Sequence, residues 1–185
     1  MFNLRLGAGL LAVALAINVA MTARPADAAS RAEINRDVDS ALAILYAKDP
    51  DARTLTSRAK AVLVFPSIVK AGFLFGAQYG DGALREKGKT VGYYNTVAAS
   101  YGLQAGVQTF GYVLFFMTEP ALQYLDKSDG FELGVGPSIV VLDTGAAKAL
   151  TTTTAQKDMY AIFFNQKGLM AGLGLQGSKI SRIDK

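Results

Sequence analysis

The stretch from Lys60 to Gly82, KAVLVFPSIVKAGFLFGAQYGDG, restricts the fold more than any other part of the chain. Ala61 to Phe65 is a short apolar run that stops at Pro66, and from Ala71 the odd positions Ala71, Phe73, Phe75, Ala77 and Tyr79 are apolar or aromatic. The even positions include Gly72, Gly76 and Gly80. A period of two predicts two strands with an apolar face and a bare glycine face, which a backbone, a helix or a ligand can approach closely. The same glycines spell GxxxGxxxG, the pattern of a membrane-helix dimer, but Lys70 and Asp81 bracket a segment far too short to span a bilayer. Glycine in a soluble helix costs about 1 kcal/mol relative to alanine, so strand is the reading adopted.

The alternation recurs. Leu103, Ala105 and Val107 oppose Gly102, Gln104, Gly106 and Gln108. Phe131, Leu133, Val135, Ile139 and Val141 alternate with Glu132, Gly134, Gly136 and Ser138, and Leu169 to Gln176 repeats the pattern. Phe110 to Met117 is almost wholly apolar, as a strand covered on both faces is. Strands this rich in glycine suit a sheet with tight bends. The fold class expected is α+β, with a glycine-rich, strongly curved or barrel-like antiparallel sheet and two to three packed helices.

Helix signals fill the gaps. Ser30-Arg31-Ala32-Glu33 is a capping box, followed by an apolar stripe of Ile34, Val38, Ala41, Leu42 and Leu45 that ends near Asp49, before Pro50. Asp51 to Lys60 predicts a second, short helix. Thr118-Glu119-Pro120 starts a third, turning Leu122 and Leu125 inward. Gly88-Lys89 reads as a two-residue hairpin turn, and Asn165 to Gly168 as another. The basic tip of the first hairpin (Arg85, Lys87, Lys89) reads as a solvated turn, with lipid contact as its alternative.

Residues 1–28 read as a cleaved signal peptide: Arg5, an apolar run from Leu6 to Ala20, and Ala26-Asp27-Ala28 as the cleavage motif. This predicts an exported protein, periplasmic or secreted, whose residues 29–185 form a single domain. The chain has no Cys, and hence no disulfide and no thiolate metal site. It also has no His, which removes the commonest general base and metal ligand.

Catalytic and cofactor motifs are weak. Gly172-Leu173-Gly174-Leu175-Gln176-Gly177 matches GxGxxG but opens no helix with room for the rest of a dinucleotide fold, so no cofactor is expected. Ser178 with Lys179, or Ser67 with Lys70, are formal nucleophile–base pairs, with nothing in the sequence to show a desolvated lysine. Asp126, Asp129 and Glu132 are a weak metal candidate, since their spacing is not that of a calcium loop. The charge balance of 19 Lys and Arg against 15 Asp and Glu is too small for a nucleic-acid binder and suits an anionic surface. The sequence therefore reads as non-enzymatic.

Several ordered stretches together resemble the SYLF family, a lipid-binding domain known also from a yeast actin-binding protein and eukaryotic adaptor proteins. They are AKAVLVFPSIVKAGFLFGAQYGDGAL (59–84), GKTVGYY (88–94), SYGLQAGVQ (100–108), VLFFMTEPAL (113–122), GFELGVG (130–136) and KGLMAGLGLQGSKISRI (167–183). The resemblance implies binding of anionic membrane lipid, no known catalysis, and lipid contact by the basic residues within these stretches: Lys60, Lys70, Lys89, Lys167, Lys179 and Arg182. Actin is not expected as a partner of an exported protein. The alternative function is a structural or protein-interaction domain of the cell envelope, whose glycine face takes a partner strand or helix.

Overall fold

The predicted strands merge into two very long ones in the computed structural model, which describes residues 29–127, 131–132, 136–142, 157–168 and 177–185. Strand β1 (Ala61–Glu86) and strand β2 (Lys89–Phe116) form one antiparallel hairpin along their whole length. Its turn is Lys87-Gly88, one residue earlier than the sequence suggested, with both residues at positive φ (48° and 80°). This is the primed geometry whose twist matches the strands it joins.

Pro66 does not end the first strand. It sits in a bulge between the pairs Phe65–Tyr112 and Ile68–Phe110, where β1 carries one residue more than its partner. The extra residue switches the inward-facing set from Ala61, Leu63 and Phe65 to Ile68 and Lys70, and Gln78 and Leu84 further along are buried as well.

The far edge of β2 serves two partners. Its C-terminal part pairs antiparallel with β5 (Met159–Gly168) and its N-terminal part with β6 (Lys179–Ile183). Short strand β3 (Phe131–Glu132) adds to β6, antiparallel. Strand β4 (Ile139–Leu142) adds to β5 in parallel, so the sheet is mixed where an antiparallel one was expected. Asn165 to Gly168, read as a turn, is strand, with Asn165 at φ 52° beside the register shift in that ladder.

The hairpin curls back over itself without closing into a barrel. A Cβ on Gly80 would lie 2.6 Å from the Ser67 carbonyl oxygen and against the Ile68 side chain, and one on Gly82 would strike the Val64 carbonyl oxygen. The bare glycine face is therefore the inside of the bend, filled by the strand's own backbone.

The curl gives the sheet two cores. Inside it, Phe65, Phe110, Tyr112 and Phe163 form an aromatic cluster with ring centroids 4.9 to 6.5 Å apart. Helix α3 (Glu119–Lys127) closes this core with Ala121, Leu122 and Leu125, and Thr118 caps it by accepting from the Ala121 N–H at 3.4 Å. On the outer face, helix α1 (Arg31–Lys48) lays Ile34, Val38, Ala41 and Leu45 over Val62, Val64, Val113 and Phe115. Residues Phe110 to Phe116 are thus covered on both sides, as their unbroken apolar run predicts.

Buried phenols make the fold alkali-sensitive. Burial, with the Asp126 carboxylate beside it, pushes the Tyr94 phenol up to about 12, and burial pushes Tyr112 higher still. In an unfolded chain both ionise near about 10. Their contribution to stability is present below that pH and lost as pH rises towards the folded values. In an ultraviolet titration these two of the eight tyrosines should give phenolate only as the fold melts, and Tyr112→Phe should move the melting upward in pH. Phenolate from all eight near pH 10 with circular dichroism unchanged would contradict this.

Candidate functional site

The corner between the first two helices is set by Asp49. It ends α1, and its carboxylate accepts from the Asp51 N–H at 3.2 Å to start helix α2 (Pro50–Arg58), with Pro50 in the first turn. Tyr46 and Thr56 join their hydroxyls across the corner at 2.7 Å, and the Arg53 guanidinium lies 5.0 Å from the Tyr46 ring centroid. The β1–β2 turn is moored against the other flank of α1. Thr90 donates to the Asn35 side-chain oxygen at 2.7 Å, and the Asn35 amide donates to the Tyr93 hydroxyl at 2.8 Å.

Between these walls lies a cleft of about 580 Å³. Leu42, Ala43, Tyr46, Ala59 and Val62 give it an apolar lining, while, among the described residues, Arg53, Lys60, Arg85 and Lys87 bring four cations against the single carboxylate of Asp39. Arg85 is the anchor of that set. Its Nη2 donates to Asp39 Oδ1 at 2.7 Å and to the Asn35 carbonyl at 3.4 Å, and its buried Nε has no hydrogen-bond partner among the described residues. A buried guanidinium donor left open is costly until an acceptor reaches it. Lys60 pairs with Glu119 at 3.7 Å, but both side chains are half-exposed and such a pair holds the lysine weakly. The cleft can therefore take an amphiphile with an anionic head and an apolar body.

Of the six basic residues singled out in the sequence, Lys60 alone lines this cleft. Lys89 is exposed just beyond the turn. Lys70 is 7% exposed, on the inside of the bend. Lys167 is exposed near the far end of β5, and Lys179 is exposed in β6. Arg182 lies in a smaller hollow of about 350 Å³ with Arg31 and Lys185, its guanidinium 6.0 Å from the Tyr94 ring centroid. The six do not form one patch.

Arg53 was missed in the sequence, because nothing local separates it from any other helical arginine. Arg85 and Lys87 read in the sequence as a basic tip, and nothing local marks the helices that make them a wall. Of the acidic trio, Asp126 is exposed on α3 and accepts from the Tyr94 hydroxyl at 3.4 Å, and Glu132 is exposed on β3. Asp129 lies outside the described residues, as do 1–28, 143–156 and most of the GxGxxG stretch at 169–176. Ser178 is buried and accepts from the Gln78 amide at 3.0 Å, while Lys179 next to it is exposed.

The fold and cleft define a class: a curled α+β domain with a cation-lined, apolar-floored groove at a helix corner. Residues 97–185 match the model of the family described as Ysc84, Las17-binding protein actin regulator, which is the SYLF domain of the resemblance above. The matched part covers most of β2 and everything after it; the cleft is built by residues that precede it. No curated protein matches the chain.

Proposed function

We propose that the protein is a non-enzymatic lipid-binding module that takes anionic phospholipid at the helix-corner cleft, and that it works outside the cytoplasm once residues 1–28 are removed. The observation that carries this reading is the pairing of an apolar floor with Arg53, Lys60, Arg85 and Lys87 in one groove. Its volume of about 580 Å³ lies within the range of about 300–1,000 Å³ typical of sites for single small molecules. Because most of the rim is exposed, its attraction for phosphate is screened over about 10 Å at 0.1 M salt.

The test is native mass spectrometry for co-purified lipid, followed by sedimentation with phosphatidylglycerol and phosphatidylcholine vesicles at low and high salt. Bound anionic lipid and salt-sensitive association with phosphatidylglycerol are the expected results. Absence of lipid together with no association at low salt would remove the proposal. A protein ligand is the second reading, favoured by the family's description as Las17-binding. An acidic peptide suits the same rim, and capture of one defined envelope protein by lipid-free material would favour it.

A further inference from the structure

The bend of the β1–β2 hairpin is built inside out. On its inner face Lys70, Gln78, Thr96 and Gln108 are buried. On its outer face Val69, Tyr79, Val97 and Val107 are 45 to 59% exposed, with Ala71, Ala77 and Ala99 exposed beside them. The register sets these side by side, Ala71 against Val107, Ala77 against Ala99 and Tyr79 against Val97. A sheet facing water shows the reverse alternation, polar out and apolar in. Apolar out and polar in is the pattern of strands that face hydrocarbon.

Within β1 and β2, charge is absent from the same surface. No Asp, Glu, Lys or Arg occurs between Ala71 and Gly80 or between Thr90 and Thr118. The two flanking charges are withdrawn: Lys70 points inward, and Asp81 accepts from the Tyr79 hydroxyl at 2.5 Å and pairs with Lys185 at 3.2 Å. Its charged edge is lysine, with exposed Lys179 opposite Val97 and exposed Lys167 opposite Thr109, where a bilayer presents headgroup phosphates, whereas the rim of a protein-docking surface is enriched in arginine. Tyr79, apolar in body with a bonded hydroxyl at one end, is the residue type that marks a membrane–water boundary.

We infer that the outer face of the hairpin bend, Val69, Ala71, Ala77, Tyr79, Val97 and Val107, inserts into the interfacial layer of a lipid bilayer. The insertion is shallow, because β1 and β2 re-enter the core at Phe65 and Phe110 on one side and at Gly82 and Tyr94 on the other. This rests on the membrane-lipid reading but uses a surface separate from the cleft.

The chain contains no Trp, so Val97→Trp and Val107→Trp each add a single fluorophore, and Ile44→Trp on exposed α1 serves as control. With full-length protein on phosphatidylglycerol vesicles, the bend variants should show blue-shifted emission and quenching by brominated acyl chains, and the control neither. Val107→Asp should weaken association about tenfold at low and high salt alike, since the lost contact is apolar. Association with the bend indoles unquenched overturns this inference alone, and so does a lipid-independent blue shift that tracks dimer formation in sedimentation. Failure of the unsubstituted protein to associate with any vesicle overturns it together with the proposed function.

Discussion

Reversing Lys60 and Lys87 together to Glu is expected to lower affinity for phosphatidylglycerol vesicles about a thousandfold at low salt. Each basic residue near an anionic surface contributes about 1 kcal/mol, and two reversals change four charges, hence about 4 kcal/mol. Both lysines are exposed, and the Lys60 pair with Glu119 at 3.7 Å is weak, so the fold should survive with circular dichroism unchanged. Lys127→Glu with Lys157→Glu is the informative comparison. It reverses two exposed lysines outside the cleft, so that the net charge of the protein shifts alike, and should change affinity less than about threefold. Equal effects from the two sites would mean that net charge alone drives association. A double reversal within threefold of the parent would remove the cleft from the lipid site. At 1 M salt, where screening falls to about 3 Å, parent and variant should converge.

The separation of cleft from bend also explains why the sequence showed the fold better than the site. Period-two alternation is a local signal, and it placed strands at Ala71–Tyr79, Leu103–Gln108 and Phe110–Phe116 correctly. It could not show that Pro66 sits in a bulge. A single extra residue there inverts the facing of the positions next to it, which is why Lys70 is buried and Val69 exposed. The parallel pairing of β4 with β5 was equally hidden, since two strands far apart in sequence carry no local mark of direction. Capping chemistry was legible because it is written within four residues: Ser30 accepts from the Glu33 N–H at 3.3 Å, and Glu33 accepts from the Ser30 N–H at 2.7 Å. The cleft draws Arg53 from a helix, Lys60 from a strand entry, Arg85 from the end of β1 and Lys87 from the turn, and only the tertiary fold brings such residues together.

Gly82→Ala should be among the most destabilising single-methyl additions, costing about 3 kcal/mol and lowering Tm by about 6–12 °C. The new Cβ would strike the Val64 carbonyl oxygen and lie 2.7 Å from the Phe65 ring, and a backbone oxygen cannot rotate away. Gly111→Ala should cost somewhat less, about 2 kcal/mol, because its Cβ meets the Phe164 ring at 2.5 Å and the Pro66 carbonyl oxygen at 2.8 Å, and the ring has some freedom to tilt. Gly88→Ala separates crowding from conformation. None of the described residues lies within 4 Å of its Cβ, yet its φ of +80° belongs to the left-handed region, so only the backbone penalty of about 1 kcal/mol should appear. If the sheet were merely bent rather than folded back on its own strand, all three would fall near that lower value in thermal melts. A graded loss, with Gly82 greatest and Gly88 least, is what a strand packed against itself requires.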